Sequence, residues 1–391
     1  MVGAKSMKKI LFMTDGFRSP TGFGTVAANL ISRLNKEFEC AILSWQYIGN
    51  KYHDIEFDCD VYPVSNHSYG KDTLSYVLAE FKPDIFITIG DGYMLNYICD
   101  VRFQKLLKDV KWISYLPIDG DVIPMQYEEF LEFPNVIVTM AKHGQKVLDK
   151  LGIRNVYIPH GIDTSVYKPM DKDKLKEEYG YSKDTFIYGC VARNQDRKQL
   201  QRLVRAFSLL KDKSNKILHF HNDPLDPANM FKDSNNNMYS VLMQAICYYG
   251  VKDYVYFSKG VRDFINGINT QEMAKTYNMF DVHCLPTGGE GFGLPIVESL
   301  ACGIPQIITD FTTAEELVGD DRGIRVPAIT HIFVPHGSLK ALIDEEKMSE
   351  AMQQLYDNDV LRKQMGENAA KFALGYDWNN TIVEWKKLLN E

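Results

Sequence analysis

The residues best suited to chemistry lie in the stretch DVHCLPTGGEGFGLPIVESLACGIPQIITD, residues 281–310. A glycine-rich loop over 288–293 follows a predicted strand, and Pro295 then opens a helix. Glycines let the backbone approach a ligand closely, and N–H groups at a helix start attract phosphate or sugar oxygens. Glu290 and Glu298 can accept hydrogen bonds from sugar or ribose hydroxyls. A tight turn, with Glu298 favoured only by the helix dipole, stays open as the alternative.

A second group of charged residues lies in CVARNQDRKQLQRLVRAF, residues 190–207. Arg193 follows a predicted strand and Lys198 enters the next helix. Two cations beside a helix N-terminus suit a diphosphate. The other arginines of this stretch are interpreted as a solvated helix face: Arg197, Arg202 and Arg205.

A third candidate is the glycine pair in RSPTGFGTVAANLISRL, residues 18–34. Gly22 and Gly24 fit the pattern G-x-G-x-x-A of a dinucleotide-binding turn. In such folds the first glycine follows the strand almost at once, whereas GFRSPT intervenes here. A nicotinamide cofactor would also leave Glu290 and Glu298 unexplained. An NAD-dependent oxidoreductase therefore fits this loop alone.

These candidates must be positioned by strands and helices, which alternate along the whole chain. A first series of predicted strands lies at 8–15, 39–45, 84–90, 111–117 and 135–140, and a second at 186–193, 216–223, 253–260, 281–287, 305–310 and 323–327. Such alternation implies parallel sheets covered on both faces. The sequence predicts an α/β protein with two doubly wound, Rossmann-like domains, 7–165 and 166–375, that face each other across a cleft. Residues 376–391 are predicted to form a helix that packs back towards the N-terminal domain.

The composition excludes several classes of protein. The chain has 391 residues, of which 45% are hydrophobic and 24% charged, an ordinary globular balance. A net charge of −7 argues against a broad nucleic-acid-binding surface. We expect no transmembrane segment, because no apolar run approaches the ~18 residues that span a bilayer. The seven cysteines form no C-x-x-C pair, so we expect a cytoplasmic location.

Three motifs together resemble those of the retaining GT-B glycosyltransferases of family 4, to which the glycogen synthases are related. They are EGFGLPIVE, VARNQDRKQ and, at 157–169, YIPHGIDTSVYKP. The resemblance extends over nearly the whole chain from residue 8. It implies a GT-B fold, and transfer of a sugar from a nucleotide-diphosphate sugar to an acceptor hydroxyl with retention of the anomeric configuration.

The resemblance also implies roles for individual residues. Arg193 and Lys198 match the pair that grips the donor diphosphate. Glu298 matches the glutamate that holds the ribose hydroxyls, and Glu290 matches the one that faces the transferred sugar. The backbone amides of three neighbours would contact sugar hydroxyls or phosphate: Phe292, Gly293 and Leu294.

The resemblance is less complete in the N-terminal domain. Gly22 and Gly24 match the loop that comes close to the donor phosphates and the acceptor. Many relatives carry a histidine after the fourth strand of this domain, whereas this sequence has WISYLPIDGDVIP at 112–124. Asp119 is the nearest candidate for that place, with Asp121 and a plain Asp-Gly turn as open alternatives.

Three histidines have less specific signals. His160, in PHGID, is expected either in the interdomain hinge or as a structural histidine with satisfied hydrogen bonds. His219 and His221 alternate on a predicted strand and so share a face, as in half of a metal site. No third ligand has a convincing spacing, and we interpret both as cleft or core histidines.

The resemblance therefore implies a UDP-, GDP- or ADP-linked donor. We expect no required cofactor or metal, because Arg193, Lys198 and the helix start after residue 293 would stabilise the departing diphosphate. The acceptor stays open between a glycan, a lipid, a protein and a modified nucleobase, as does a peripheral membrane contact. The alternatives are a GT-B nucleotide-sugar epimerase, a phosphorylase, or a non-catalytic nucleotide-sugar-binding protein. The oligomeric state is not predicted.

Overall fold

The computed structural model describes residues 7–66, 69–261 and 268–391. These residues form two compact units. Unit 1 contains the chain up to Ile118, Val122–Gly161 and Trp378–Glu391, and unit 2 contains Asp119–Asp121 and Ile162–Asp377. Both units are α/β, as predicted. Strands and helices are numbered below in chain order.

Unit 1 is built on one sheet. Its strands are β1 (Lys9–Thr14), β2 (Glu39–Ser44), β3 (Tyr52–Asp54), β4 (Cys59–Tyr62), β5 (Ile85–Ile89), β6 (Lys111–Leu116), β7 (Val136–Thr139) and β8 (Asn155–Tyr157). Their order is β3-β4-β2-β1-β5-β6-β7-β8, and all neighbours are parallel except β3 and β4. The strand order reverses between β1 and β5, as in doubly wound folds. Strands such as β1 and β5 are almost wholly buried, because helices cover both faces of the sheet.

The helices of unit 1 that connect these strands are α1 (Gly22–Leu34), α2 (Leu74–Phe81), α3 (Gly92–Leu95), α4 (Val101–Leu106) and α5 (Lys142–Lys150). Helix α1 shows why such segments are helical. Its apolar residues recur at helical spacing and face the core, and the Thr21 side chain accepts a hydrogen bond from the Gly24 N–H at its start.

Unit 2 has its own six-stranded sheet and two hairpins. Its strands are β9 (Phe186–Val191), β10 (Lys216–His221), β11 (Met230–Lys232), β12 (Met238–Ser240), β13 (Val255–Phe257), β14 (Val282–Leu285), β15 (Gln306–Thr309), β16 (Gly323–Val326), β17 (Ala328–Phe333) and β18 (Leu339–Ile343). The large sheet is parallel, with the order β13-β10-β9-β14-β15-β16. Counted from β9, this is the 3-2-1-4-5-6 order of a Rossmann fold. The pairs β11–β12 and β17–β18 are antiparallel hairpins.

The helices of unit 2 are α6 (Lys172–Glu178), α7 (Leu200–Ser208), α8 (Val241–Tyr248), α9 (Thr270–Asn278), α10 (Leu294–Ala301), α11 (Ala314–Leu317), α12 (Glu345–Asp357) and α13 (Asp359–Ala373). Helix α10 follows the sequence signals closely, since Pro295 lies in its first turn and Gly303, just past its end, has a φ of +76°.

The last helix, α14 (Trp378–Asn390), belongs to unit 1. Its apolar stripe is buried, and the Trp385 ring lies edge-on to Tyr115 of β6 with the ring centroids 5.0 Å apart. Within the described ranges, no helix is both long and apolar enough to cross a membrane.

Candidate active site

The strand order of unit 2 identifies one place for a ligand. In open α/β sheets, ligands bind beyond the carboxyl ends of the strands where the order reverses. In unit 2 this point lies between β9 and β14, which are adjacent and parallel. Arg193 and Lys198 follow β9, and the glycine loop over 288–293 follows β14. The fold therefore brings the two strongest sequence candidates to the same edge of the same sheet.

The loop after β14 needs glycine for its close approaches. A Cβ on Gly289 would lie 2.1 Å from the Asp119 carbonyl oxygen, and the residue has a φ of +148°. The Gly288 N–H donates to the Arg197 carbonyl at 2.6 Å. Gly293, with a φ of +100°, turns the chain into α10. The Leu294 N–H at the start of α10 has no acceptor within the helix, whereas Pro295 has no N–H and the Ile296 N–H donates to the Gly293 carbonyl at 2.9 Å. The loop is thus fixed against the segment after β9 and ends in an anion-binding helix start.

Five charged side chains meet at this edge and are called the ion cluster here. Its cations are Arg197, Lys198 and Lys340, and its carboxylates are Glu290 and Asp119. Lys198 pairs with Glu290, and both side chains are under a tenth exposed. Arg197 lies 3.7 Å from Glu290 and 4.0 Å from Asp119. Lys340 lies 2.6 Å from Asp119.

Burial and charge act against each other in the ion cluster. Burial alone would raise the pKa of the Glu290 carboxyl, but Lys198 and Arg197 outweigh it and hold that pKa below its usual range. Burial lowers the pKa of the Lys198 ammonium, and Glu290 only partly opposes this. With three cations and two carboxylates ionised, the cluster has a formal charge of +1. Such a site suits an anion better than a cation.

The Gln199 side chain connects the turn that carries Arg197 and Lys198 to strand β18, which carries Lys340. This residue has a left-handed backbone, with a φ of +51°, between the short 3-10 turn at 196–198 and the start of α7. Its amide donates to the Ala341 carbonyl at 2.6 Å and accepts from the Ile343 N–H at 3.3 Å. Lys198 directly precedes Gln199, and Lys340 directly precedes Ala341. The hydrogen bond between Gln199 and Ala341 therefore links the two segments that carry these lysines.

Glu298 lies on α10, outside the ion cluster. Its carboxylate accepts a hydrogen bond from the Tyr277 hydroxyl at 2.7 Å. Burial raises the pKa of the Glu298 carboxyl, and the hydroxyls of Tyr277 and Tyr167 oppose that rise. A carboxylate that is already an acceptor for two hydroxyls has the chemistry needed for the ribose contact that the resemblance implies.

Arg193 forms a different ion pair from those of the ion cluster. Its guanidinium donates to the Asp226 carboxylate through two nitrogens, at 2.6 and 3.2 Å, and the Arg193 side chain is 60% exposed. The Asp226 side chain is almost fully buried. Binding of a diphosphate by Arg193 would therefore need the guanidinium to share or exchange this carboxylate.

The glycine loop of unit 1 follows β1, at the point where the strand order of that sheet reverses. Gly22 is exposed and opens α1, whereas Gly24 is buried. A Cβ on Gly24 would lie 2.5 Å from the Ser19 carbonyl oxygen. Close packing is therefore sufficient to explain a glycine at this position. The Thr21 hydroxyl, which caps α1, also donates to Asp15 at 2.7 Å.

The remaining backbone candidates lie at the start of α10. Phe292 is buried with its ring 5.9 Å from that of Tyr376, and Leu294 is the first residue of the helix. Their amides therefore belong to the helix start that the loop after β14 presents.

The three histidines are buried and hydrogen-bonded. His160 shares a 2.7 Å hydrogen bond with Tyr115 in unit 1. His219 and His221 both contact the Ser258 hydroxyl, at 2.9 and 3.0 Å. Burial lowers the pKa of these two imidazoles to about 3 and about 4. Among the described residues, no group of three or more His, Cys, Asp or Glu side chains is arranged to hold a metal ion.

Sequence reasoning missed several residues of the site. Arg197 is only a third exposed and contacts Glu290 and the Gly289 carbonyl, so its interpretation as part of a solvated face is wrong. The two later arginines pair with Glu345 on α12: Arg202 and Arg205. Lys340 had no motif to mark it, although the alternating pattern and the turn of AITHIFVPHGSLKALI are signals of a hairpin.

Two Rossmann-like units with these strand orders define the GT-B fold, and comparisons with known proteins agree. The family model described as "Glycosyl transferases group 1" matches residues 258–372. An uncharacterized glycosyltransferase of Methanocaldococcus jannaschii is 22% identical over 348 residues, which are 80% of each chain. A D-inositol 3-phosphate glycosyltransferase of an Arthrobacter species is 24% identical over 58% of this chain and 47% of its own length. The sequence matches support a glycosyltransferase of group 1.

Solved structures resemble the whole chain at low sequence identity. The sucrose-phosphate synthase of Thermosynechococcus elongatus has a TM-score of 0.77 at 14% identity, and the match covers 98% of both chains. HepE of Anabaena, solved in complex with UDP-glucose, has a TM-score of 0.74 at 15% identity and covers 98% of this chain and 99% of its own. These likenesses establish the GT-B fold.

Proposed function

We propose that this protein is a retaining glycosyltransferase of family 4 that moves a sugar from a nucleotide-diphosphate sugar to an acceptor hydroxyl without a metal ion. The observation that carries the proposal is the ion cluster, a partly buried group with an excess of positive charge at the strand-order reversal of unit 2. A diphosphate there would meet the cations and the start of α10 together.

Each site residue has a proposed role in this reaction. Lys198 and Arg193 bind the diphosphate, and Arg197 adds a third cation to them. Glu298 holds the ribose hydroxyls, and Glu290 faces the transferred sugar. Further contacts to sugar or phosphate are proposed for Asp119, Gly22, Gly24, Phe292, Gly293 and Leu294.

The proposed chemistry needs no covalent intermediate with the protein. The bond between the sugar C1 and the β-phosphate oxygen breaks, and the acceptor oxygen bonds to C1 on the same face. The acceptor proton passes to the departing phosphate oxygen, so the products are the glycoside and the nucleoside diphosphate. Lys198, Arg197 and the N–H groups of α10 stabilise the growing negative charge on the diphosphate.

UDP-linked sugars are the first donors to test, since a structural neighbour was solved with UDP-glucose. The acceptor class stays open between a glycan, a lipid, a protein and a modified nucleobase. We also propose a cytoplasmic location, which fits the free state of the cysteines among the described residues.

The test is a thermal-shift panel of UDP, GDP, ADP and their common sugar conjugates, with and without EDTA. EDTA is included because independence from a metal ion is part of the proposal. We expect one nucleotide to raise the melting temperature of the wild type, with or without EDTA, and Lys198→Met to reduce this shift strongly.

The matched control for this panel is Lys176→Met. Lys176 forms a buried pair with Asp281 in the same unit, beside the amino ends of β9 and β14. Lys176→Met should lower the melting temperature of the protein without nucleotide, and nucleotide should still raise that temperature as it does in the wild type. A shift that needs a divalent ion would refute metal independence, and a shift with NAD alone would refute the nucleotide-sugar site.

Product analysis separates the alternatives. Proton NMR of the glycoside reports its anomeric configuration, and an inverted product would contradict retention. An epimerase would convert the donor sugar without an acceptor, a phosphorylase would require inorganic phosphate, and a binding protein would show a thermal shift without turnover.

A further inference from the structure

The β17–β18 hairpin carries a lysine into the candidate site. Lys340 lies on β18, opposite Ile332 of β17, and its side chain is 2% exposed. Its ammonium donates at 2.6 Å to the Asp119 carbonyl and at 2.6 Å to the Asp119 carboxylate. One side chain thus fixes both the backbone and the carboxylate of the same residue.

The segment that contains Asp119 fits closely against this hairpin. A Cβ on Gly120 would lie 2.3 Å from the Ser338 hydroxyl and 2.7 Å from the Leu339 carbonyl oxygen. Lys340 can supply three donors, and two of them are directed at Asp119. The contact is therefore a packed interface with a specific charged anchor.

The charge around Asp119 comes from several elements. Lys340 faces it from β18, Arg197 and Lys198 from the turn after β9, and His336 from the hairpin turn. Burial alone would raise the pKa of the Asp119 carboxyl, but Lys340 and Arg197 hold it below its usual range. Removal of Lys340 leaves burial opposed mainly by Arg197, whose nearest nitrogen is 4.0 Å away.

We propose that Lys340 is a positioning residue, which holds the ionised Asp119 carboxylate at the edge of the ion cluster, where this carboxylate accepts a hydrogen bond from a hydroxyl of the transferred sugar. This inference rests on the proposed glycosyltransferase function. It makes the β17–β18 hairpin part of the donor site, although no motif of the sequence marks it. Lys340 acts through Asp119 and needs no contact with the substrate.

The first test measures positioning without substrate. Hydrogen–deuterium exchange of the peptide that contains Asp119 should be faster in Lys340→Met than in the wild type, because the anchor of its backbone is lost. Lys176→Met, which removes a buried lysine of a different Lys–Asp pair in unit 2, should leave that peptide unchanged. Equal exchange in the wild type and Lys340→Met would overturn the proposal.

The second test measures the consequence for the reaction. Lys340→Met should lower kcat about 10- to 100-fold with a smaller effect on the KM for the donor, because a misplaced carboxylate acts mainly on the reacting geometry. A carboxylate with a raised pKa is protonated at higher pH, so the acidic limb of the kcat profile should move to higher pH. Lys340→Arg, which keeps the charge, should retain the wild-type limb.

Asp119→Asn is the second variant of a double-mutant cycle with Lys340→Met. Once the carboxylate is gone, Lys340→Met should add little further loss of kcat, since both substitutions remove the same interaction. Additive losses in the double variant, or an unmoved acidic limb in Lys340→Met, would contradict the proposal. If the wild type binds no nucleotide, the proposed function fails, and the exchange measurement still decides whether Lys340 positions Asp119.

Discussion

The buried pair of Lys198 and Glu290 allows a sharp prediction about stability. Lys198→Met leaves the Glu290 carboxylate buried with Arg197 still 3.7 Å away. Glu290→Met leaves the Lys198 ammonium without its hydrogen-bonded partner. Breaking one side of a buried pair costs about 3–5 kcal/mol. We place Lys198→Met near the lower end of that range, because Arg197 remains, and Glu290→Met near the upper end.

The double variant Lys198→Met/Glu290→Met removes both charges and replaces them with apolar groups of similar length. Replacement of a whole buried pair is often nearly neutral, so the double variant should lose less than about 2 kcal/mol. It should thus be more stable than either single variant. Lys198→Met alone should lower the melting temperature by about 6–12 °C, at 2–4 °C per kcal/mol for a unit of this size.

The assay is urea unfolding at 25 °C, followed by circular dichroism, with isothermal titration of UDP into each folded variant. Loss of one charged hydrogen bond to the diphosphate, about 1.5–3 kcal/mol, should weaken binding in Lys198→Met about 10- to 100-fold. Lys176→Met is the control that should lose stability while it keeps its affinity. A double variant as unstable as the sum of the singles would refute the pairing argument.

The pH dependence of Glu290→Met gives an internal check on the same reasoning. The folded-state pKa of Lys198 is lowered by burial, and loss of Glu290 should lower it further. The folded state then favours the neutral amine more than the unfolded state does. The free energy of unfolding of Glu290→Met should therefore rise with pH towards the ordinary pKa of lysine.

Three further outcomes can be measured. Glu298→Gln should stabilise the protein more at pH 8 than at pH 5, because burial raises the pKa of Glu298 and its charged form opposes folding, while UDP affinity in calorimetry should fall. Gly189→Ala would place a Cβ 2.1 Å from a Phe280 ring carbon and should cost about 1–3 kcal/mol in urea unfolding, whereas Gly375→Ala, with open space around it, should be near neutral. Trp385→Ala should cost about 3–5 kcal/mol by the same measurement, because the fully buried ring packs on unit 1.

The sequence predicted the architecture well because the central strands of both large sheets are buried on both faces. Runs such as FIYGCV in β9 and QIIT in β15 are apolar at successive positions, and each predicted strand run contains an observed strand. Among the strands that escaped prediction, β3 is short and β17 is exposed along most of its length. Neither strand has the run of successive apolar residues that marks a strand buried on both faces.

The site was predicted where a motif fixes the local geometry. Glu290 and Lys198 come from different motifs, and the adjacent ends of β9 and β14 bring them together. The interpretation of Arg197 as part of a solvated helix face is wrong because Arg197 lies before α7, in the 3-10 turn at 196–198. The left-handed backbone of Gln199 separates this turn from α7, which begins at Leu200. The residue spacing of α7 therefore does not describe the direction of the Arg197 side chain.

Lys340 could not be found by spacing at all. It lies 142 positions after Lys198, beyond a hairpin whose strands carry no motif, and its link to the site is the packing of Gly120 against Ser338 and Leu339. Arg193 shows the opposite limit. The motif predicted its place after β9, but its pairing with Asp226 depends on the segment after β10, which carries no motif.

The ion cluster joins parts of the chain that are remote in sequence, with 92 positions between Lys198 and Glu290 and 221 between Lys340 and Asp119. Contacts across such long loops form late in folding, since the entropy of loop closure must be overcome first. A nucleotide that binds this cluster should therefore slow unfolding and leave the refolding rate unchanged. Resistance to proteolysis would then rise with the fraction of the protein that has nucleotide bound.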